Sequence, residues 1–123
     1  MEKSTSFDPI TLEILWQRLV SAADEASAAL IRAAFSTVVR ESHDFSCVVV
    51  DSRGELLAQA QQSIPLFNGT LSRTVRWLMS KFPAADLGPD DVLITNDPWE
   101  GTGHLPDINV VKPIFFKGKL VGY

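Results

Sequence analysis

The stretch RESHDFSCVVVDSRGELLAQA, residues 40–60, contains the change of pattern that decides the fold. Residues 45–50 are apolar and largely β-branched, which is typical of a buried strand. Residues 51–54 read Asp-Ser-Arg-Gly, a run of turn-forming residues with glycine at its end, and residues 55–59 return to a strand-like composition. The stretch therefore predicts a β-hairpin.

A long helix is predicted upstream of this hairpin. Asp8 carries a good N-cap side chain, and Pro9 suits the first helical position, where its missing N–H costs nothing. The second half of the helix is rich in alanine, so we expect the helix to be buried on more than one side. The helical signal fades at residues 36–39, and residues 1–7 are expected to form a flexible N-terminus. The apolar stripe of the helix comprises Leu12, Leu15, Leu19, Ala22, Ala26, Ala29, Leu30 and Ala33.

The downstream half predicts a second helix followed by strands. The helix begins near Asn68, and residues 92–95 form the next apolar run. Residues 108–123 are typical of a strand, a turn at residues 117–119 and a returning strand. The apolar face of the second helix comprises Leu71, Val75, Leu78, Met79 and Phe82.

The order of these elements predicts an α+β fold. It would contain a long N-terminal helix, a β-hairpin, a second helix and further strands that form part of a mixed sheet. A two-stranded hairpin at the end of the chain is marginal unless something completes its sheet. We therefore expect residues 8–123 to be the amino-terminal part of a larger domain that is incomplete at its carboxyl end.

The composition of the chain restricts the kinds of molecule that it could bind. The chain has 123 residues, enough for one domain, and its net charge of -4 comes from interspersed acids and bases, which disfavours a nucleic-acid partner. Neither an apolar run of membrane-spanning length nor a secretory leader occurs, so we expect no membrane partner and a cytoplasmic location. The single cysteine, Cys47, fits a reducing compartment and lies in an apolar run, as a buried structural thiol would.

Most of the candidate chemistry lies in NDPWEGTGHLPDI, residues 96–108, directly after an apolar run. Polar residues that follow a buried strand commonly form sites, although Asn-Asp-Pro with two nearby glycines is also ordinary turn material. His104 and Asp107 are three residues apart in a segment stiffened by proline, which would bring an imidazole and a carboxylate toward one point. Two ligands are too few for a metal site, which needs about three from the protein.

The search for a third ligand leads to RESHD, residues 40–44. Asp44 is the last residue before the apolar run, and its carboxylate would emerge near Asn96 and Asp97 if its strand lay beside the strand at residues 92–95. The alternative is a solvated connection between helix and strand, and His43 would then face water. A mixed set of carboxylates and imidazole would suit Zn, Mn or Fe(II) without choosing among them.

Three motifs together resemble a known family. They are DPITLEIL near the start, RESHDFSCVVVD with GELLAQA in the middle, and NDPWEGTGHLPDINVVKPIF toward the end. Residues 8–123 resemble the amino-terminal region of the hydantoinase B/oxoprolinase family. This family includes the B-type components of ATP-dependent hydantoinases, the oxoprolinases, and related acetone-carboxylase subunits.

The resemblance implies a two-part enzyme in a hetero-oligomer. A hydantoinase A-type subunit of the sugar-kinase/actin-like ATPase class would use ATP to activate a small cyclic amide or ketone. Our chain has no phosphate-binding loop of the glycine-rich Lys-Ser/Thr kind, so ATP would be bound by that partner. A subunit of the present type would carry a divalent metal and open the activated lactam or hydantoin ring as a hydrolase. The alternatives are an acetone-carboxylase-type subunit and an inactive truncated or interaction module.

The resemblance also implies roles for individual residues. The metal ligands fall on Asp44, His104 and Asp107, with a further His expected beyond Tyr123. Glu41 and Asp97 would be catalytic residues, and Glu41 would transfer a proton. Asn96 and His43 would face the substrate or support the ligands.

Overall fold

The computed structural model describes residues 7–64 and 67–123. Its helices and short strands form the α+β fold that the sequence predicts. The predicted flexible segment, residues 1–7, lies outside the described residues except for Phe7. In chain order the elements are α1 (Pro9–Ala33), α2 (Thr37–Ser42), β1 (Val48–Val50), β2 (Leu56–Gln59), α3 (Asn68–Lys81), a turn of 3-10 helix (Ala84–Asp86), β3 (Leu93–Thr95), β4 (Asn109–Val111), β5 (Ile114–Phe116) and β6 (Lys119–Gly122).

Helix α1 begins where the sequence predicts. The Asp8 Oδ1 atom accepts hydrogen bonds from the backbone N–H groups of Ile10, at 3.1 Å, and Thr11, at 3.0 Å. Pro9 lies in the first turn. The Asp8 carboxylate thereby satisfies two of the N–H groups that every helix start leaves without an intrahelical acceptor.

The side of α1 that packs differs from the predicted stripe. The helix contacts β2 and buries Ala23 and Ser27, whereas Leu12, Leu15 and Leu30 are exposed. The prediction that the helix is buried on more than one side was therefore wrong. Apolar residues occur around most of α1, so periodicity could not select the packed face, and small side chains on that face allow α1 to approach β2 closely.

A short helix, α2, occupies the segment where the helical signal fades in the sequence. Ala34 is extended and ends α1, and Ser36 Oγ accepts a hydrogen bond from the Val39 N–H at 3.5 Å to begin α2. His43 ends α2 with φ 51°, in the left-handed region that His enters more readily than most residues. With only six residues, α2 is too short to show a helical period, which explains why sequence analysis missed it.

The strands of the described residues form three antiparallel pairs, β1–β2, β3–β4 and β5–β6. The predicted hairpin over residues 45–59 is confirmed, with Val49 opposite Ala58 and an irregular register at Val50. Of the predicted mixed sheet, the described residues show only these small antiparallel pairs and no parallel one. Short turns join β1 to β2 and β5 to β6, and parallel neighbours would need a crossover of about a dozen residues.

Backbone hydrogen bonds connect the first hairpin to the last. The Val50 N–H donates to the Tyr123 carbonyl and the Tyr123 N–H donates to the Val50 carbonyl, both at 2.9 Å. This exchange places β6 beside β1 and encloses the core, in which Val50, Val75 and Tyr123 are buried together. The half-buried residues packed against them are Val48, Met79, Leu87, Val111 and Leu120.

Helix α3 lies between the strand pairs, in contact with β1 and β4. Of its predicted apolar face, Val75 and Leu78 are buried, whereas Phe82 follows the last turn and is exposed. The helix also buries the polar residues Ser72 and Thr74. A buried hydroxyl requires a hydrogen-bond acceptor, and for Thr74 the Thr70 carbonyl oxygen of the same helix lies 3.0 Å away.

Two findings bear on expectations drawn from composition. Cys47 is half-buried, and burial raises the pKa of its thiol, so the thiol is protonated at neutral pH and unsuited to act as a nucleophile. Across residues 7–64 and 67–123, no helix is both long and apolar enough to cross a bilayer.

Gly122 lies where β6 meets β1, and an added Cβ atom would collide with the Val50 carbonyl oxygen. We predict that Gly122→Ala separates the two strands and lowers the free energy of unfolding by about 1–3 kcal/mol, measured by urea denaturation. The control is Gly69→Ala on α3, where no atom lies within 4 Å of the added methyl group. That variant should be neutral or stabilised by up to about 1 kcal/mol. Equal stability of Gly122→Ala and the unmodified chain would contradict the prediction.

Candidate functional site

The loop between β3 and β4 starts with a turn organised by Asp97. The Asp97 N–H donates to Thr95 Oγ1 at 3.1 Å, and its Oδ1 atom accepts from the Trp99 N–H at 2.9 Å. Its carbonyl accepts from the Gly101 N–H at 2.8 Å. The Asp97 side chain therefore performs the turn-forming role that the sequence offered as the alternative to a catalytic one.

Gly101 is required at its position because the loop folds tightly around it. A Cβ atom there would lie 2.6 Å from the Asp97 carbonyl oxygen and 2.9 Å from Asn109 Nδ2. Gly103 is required for a different reason, since its φ of 91° favours glycine. These two glycines give the loop one compact course from the end of β3 to His104.

Helix α3 holds the middle of the loop through side chains. The Arg73 Nη2 atom donates to the Trp99 carbonyl at 2.8 Å and to the Gly101 carbonyl at 3.1 Å. The buried Thr74 hydroxyl lies 2.9 Å from the Glu100 carbonyl oxygen, an acceptor in the loop in addition to the Thr70 carbonyl of its own helix. Sequence reasoning missed both residues. The available signal was the polar Thr74 beside Val75, next to the apolar face of the helix.

The second half of the loop brings together the imidazole and carboxylate that the sequence places three residues apart. His104 Nδ1 lies 3.1 Å from Asp107 Oδ1, and the Thr102 hydroxyl donates to Asp107 Oδ2 at 2.6 Å. The Asp107 N–H also donates to the His104 carbonyl at 3.0 Å. Both carboxylate oxygens thus have partners within the loop. That His104 and Asp107 bind a metal stays a prediction.

The electrostatics of the pair favour an ionised carboxylate. The hydrogen bond from Thr102 lowers the pKa of Asp107. The hydrogen bond and charge of His104 also lower this pKa, whereas partial burial raises it. The His104 side chain is 69% exposed and that of Asp107 30% exposed, so the pair faces solvent at the surface of the loop. An ionised carboxylate beside an accessible imidazole is a suitable pair of donors for a divalent cation.

The residues predicted from RESHD lie elsewhere. Glu41 and Asp44 are exposed, and the His43 ring contacts Phe45 edge-on, with ring centroids 6.2 Å apart. In the described chain, β1 pairs with β2 and β3 pairs with β4, so the strand after Asp44 does not lie beside the strand before Asn96. The condition on which the Asp44 carboxylate would emerge near Asn96 and Asp97 is therefore not met in the described residues, and its role as a ligand stays a prediction.

The residues present match a metal centre in chemical type but not in number. Within residues 7–64 and 67–123, no three side chains of His, Cys, Asp or Glu lie close enough to hold one ion. His104 and Asp107 supply an imidazole and a carboxylate, whereas a catalytic zinc site usually takes three protein ligands. The loop therefore offers part of a ligand set.

Comparison with known proteins identifies the family. Residues 8–123 match the family described as hydantoinase B/oxoprolinase. The chain belongs to the hydantoinase B/oxoprolinase family. This confirms the resemblance carried by its three motifs.

Two relatives illustrate the match. 5-oxoprolinase 1 of Arabidopsis thaliana is 40% identical over 114 residues, which cover 93% of this chain and 9% of that protein. A putative D-/L-hydantoinase component of the B type, from Pseudomonas sp. (strain NS671), is 32% identical over 118 residues, covering 94% of this chain and 20% of that protein. The chain thus spans a fifth or less of the length of these relatives.

A solved structure shows the same fold. Nucleotide-free acetone carboxylase superposes with a TM-score of 0.80 at 25% sequence identity, covering 94% of this chain and 15% of that one. The helices and antiparallel strand pairs described above therefore recur within a much larger enzyme.

The carboxylate chemistry of the loop generates a testable prediction. Thr102→Val removes the main cause of the lowered Asp107 pKa, so that pKa should rise, measured by NMR titration of the carboxyl carbon. Thr102→Ser keeps the hydroxyl and should leave the pKa lowered. Because the folded-state pKa lies below the unfolded value of about 4, the ionised group stabilises the fold above that pH, and the contribution is lost as pH falls through the folded-state pKa. An unchanged Asp107 titration in Thr102→Val would contradict this account.

Proposed function

We propose that the chain is the amino-terminal part of the metal-dependent subunit of an ATP-dependent cyclic-amide hydrolase, of the hydantoinase/oxoprolinase type. Such an enzyme would open an activated lactam or hydantoin ring. The observation that carries the proposal is the contact between His104 and Asp107 on a tightly organised loop, in a chain that belongs to the hydantoinase B/oxoprolinase family. The 40% identity to a plant 5-oxoprolinase supports the hydrolase class.

In this proposal, His104 and Asp107 contribute two ligands. A divalent metal held there would supply a coordinated water of lowered pKa and would polarise the substrate oxygen. Asp107 is suited to the task because its pKa is lowered and its carboxylate is ionised at neutral pH. Thr102 holds one carboxylate oxygen at 2.6 Å and so restricts the rotation of the side chain. Zn, Mn and Fe(II) all accept this pair of donors.

The other assigned roles belong to the same proposal. Asp44 would be a third ligand, and further ligands would come from sequence that the longer relatives possess. Glu41 would transfer a proton. The exposed position of Glu41 leaves its carboxyl group accessible to a substrate or a partner. The remaining roles are catalytic for Asp97 and substrate-facing or supporting for Asn96 and His43.

The proposed assembly contains a second subunit. A hydantoinase A-type ATPase would bind ATP and activate the small cyclic amide or ketone, and the two subunits would form a hetero-oligomer in the cytoplasm. The single cysteine of the chain supports a reducing compartment.

A carboxylase function is the second candidate. The observation in its favour is the TM-score of 0.80 to acetone carboxylase. Against it, the sequence identity to that enzyme is 25%, compared with 40% to the plant oxoprolinase. An inactive or interaction module is the third candidate, supported by the exposed apolar residues Ile94, Trp99 and Val110 around the same loop.

Elemental analysis of the purified chain tests the proposed metal site. We predict that any Zn, Mn or Fe carried by the unmodified chain is lost in a His104→Ala, Asp107→Ala double variant, because the double variant lacks both donors. The matched control is the double variant Asp86→Ala, Asp90→Ala, which removes two exposed carboxylates that have no assigned role in the site. It should retain the metal.

Metal retained in the double variant would contradict the assignment. If the unmodified chain carries none, the two equivalent substitutions in the longer Pseudomonas hydantoinase component decide the question. Retention of metal by that substituted protein would again contradict the assignment, and its loss would show that the two donors need ligands from the rest of the longer chain.

A further inference from the structure

Arg73 links helix α3 to two carbonyl groups on either side of Glu100. Its Nη2 atom lies 2.8 Å from the Trp99 carbonyl oxygen and 3.1 Å from the Gly101 carbonyl oxygen. A single nitrogen that binds both groups fixes the separation of the two carbonyls and hence the curvature of the chain between them. Hydrogen bonds from a charged donor are stronger than those from a neutral one, which makes this restraint effective even near solvent.

The restraint continues without interruption to the His104–Asp107 pair. Gly101 is followed directly by Thr102, whose hydroxyl donates to Asp107 Oδ2 at 2.6 Å. Asp107 Oδ1 in turn lies 3.1 Å from His104 Nδ1. A shift of the Gly101 peptide therefore moves the Thr102 side chain, and with it the carboxylate and the imidazole.

We propose that Arg73 is a positioning residue for the His104–Asp107 pair. It acts through the Trp99 and Gly101 carbonyls and contacts neither member of the pair. Thr74, the other α3 residue bound to this segment, is fully buried, and its hydroxyl also lies 3.0 Å from the Thr70 carbonyl within the helix. Arg73 is exposed, so its replacement tests the loop restraint without opening the core.

Arg76 provides an internal control one helical turn away. Its Nη1 atom donates to the Gly54 carbonyl at 3.2 Å and to Glu55 Oε1 at 3.1 Å, so it binds the β1–β2 turn. Arg73→Gln and Arg76→Gln remove the same charge from the same helix and release different loops. An effect specific to Arg73 thus separates positioning from a general effect of charge or helix stability.

The experiment measures amide exchange of Gly101 and the imidazole resonances of His104 by NMR. In Arg73→Gln we expect Gly101 exchange to accelerate by about ten- to a hundredfold, the range given by loss of hydrogen bonds to a charged donor. The His104 resonances should shift in the same variant. Arg76→Gln should match the unmodified chain in both measurements, and Arg73→Lys, which keeps a cationic donor, should be intermediate. Exchange of the Leu78 amide in α3 verifies that each variant is folded.

Two results would overturn the proposal. One is a Gly101 exchange rate and a set of His104 resonances in Arg73→Gln that equal those of the unmodified chain. The other is equal changes in Arg73→Gln and Arg76→Gln. If Arg73→Gln does not fold, Arg73→Lys decides, and no change in its Gly101 exchange or His104 resonances would likewise overturn the proposal.

If the proposed function holds, a positioning role for Arg73 implies that its replacement weakens Zn²⁺ binding. A calorimetric Zn²⁺ titration of the same variants tests this consequence. Weaker binding by Arg73→Gln than by Arg76→Gln would support the positioning role. Absence of Zn²⁺ binding by the unmodified chain would pass the metal question to the longer Pseudomonas hydantoinase component, as in the elemental analysis. The exchange and resonance measurements need no metal, so they decide the role of Arg73 separately.

Discussion

The buried hydroxyl of Thr74 is the constraint on which the position of the loop depends. Thr74 has no exposed surface. Its hydroxyl lies 2.9 Å from the Glu100 carbonyl oxygen in the loop and 3.0 Å from the Thr70 carbonyl oxygen in its own helix. The packing of the helix and the course of the loop are therefore coupled, since separating them would remove the Glu100 acceptor from Thr74 and the Trp99 and Gly101 acceptors from Arg73.

This coupling explains how a surface loop acquires an ordered arrangement of polar side chains. Asp97 folds the first turn, and Gly101 permits the close approach of the loop to itself and to Asn109. From that fixed segment the chain leads directly to Thr102 and so to the carboxylate of Asp107. Loops carry function when a rigid scaffold positions them, and here the scaffold is α3.

The sequence predicted local features well and long-range features poorly. The start of α1 at Asp8, the hairpin over residues 45–59 and the approach of His104 to Asp107 all depend on neighbours within about ten residues, and each is present. The packed face of α1 and the hydrogen bonds between Val50 and Tyr123 depend on which surfaces meet, and apolar periodicity does not specify this. The contact of Arg73 with the loop spans more than twenty residues, and an exposed arginine on a helix gives no sign of its partner.

The coupling between α3 and the loop is tested most directly by native-state hydrogen exchange on the unmodified chain. If the buried Thr74 hydroxyl ties the two together, the Gly101 amide, which donates to the Asp97 carbonyl, should open only with the helix. Its free energy of opening should then approach that of the Leu78 amide in α3, with the same dependence on denaturant. A Gly101 amide that exchanges at the rate of an unprotected peptide, while Leu78 remains protected, would contradict the account.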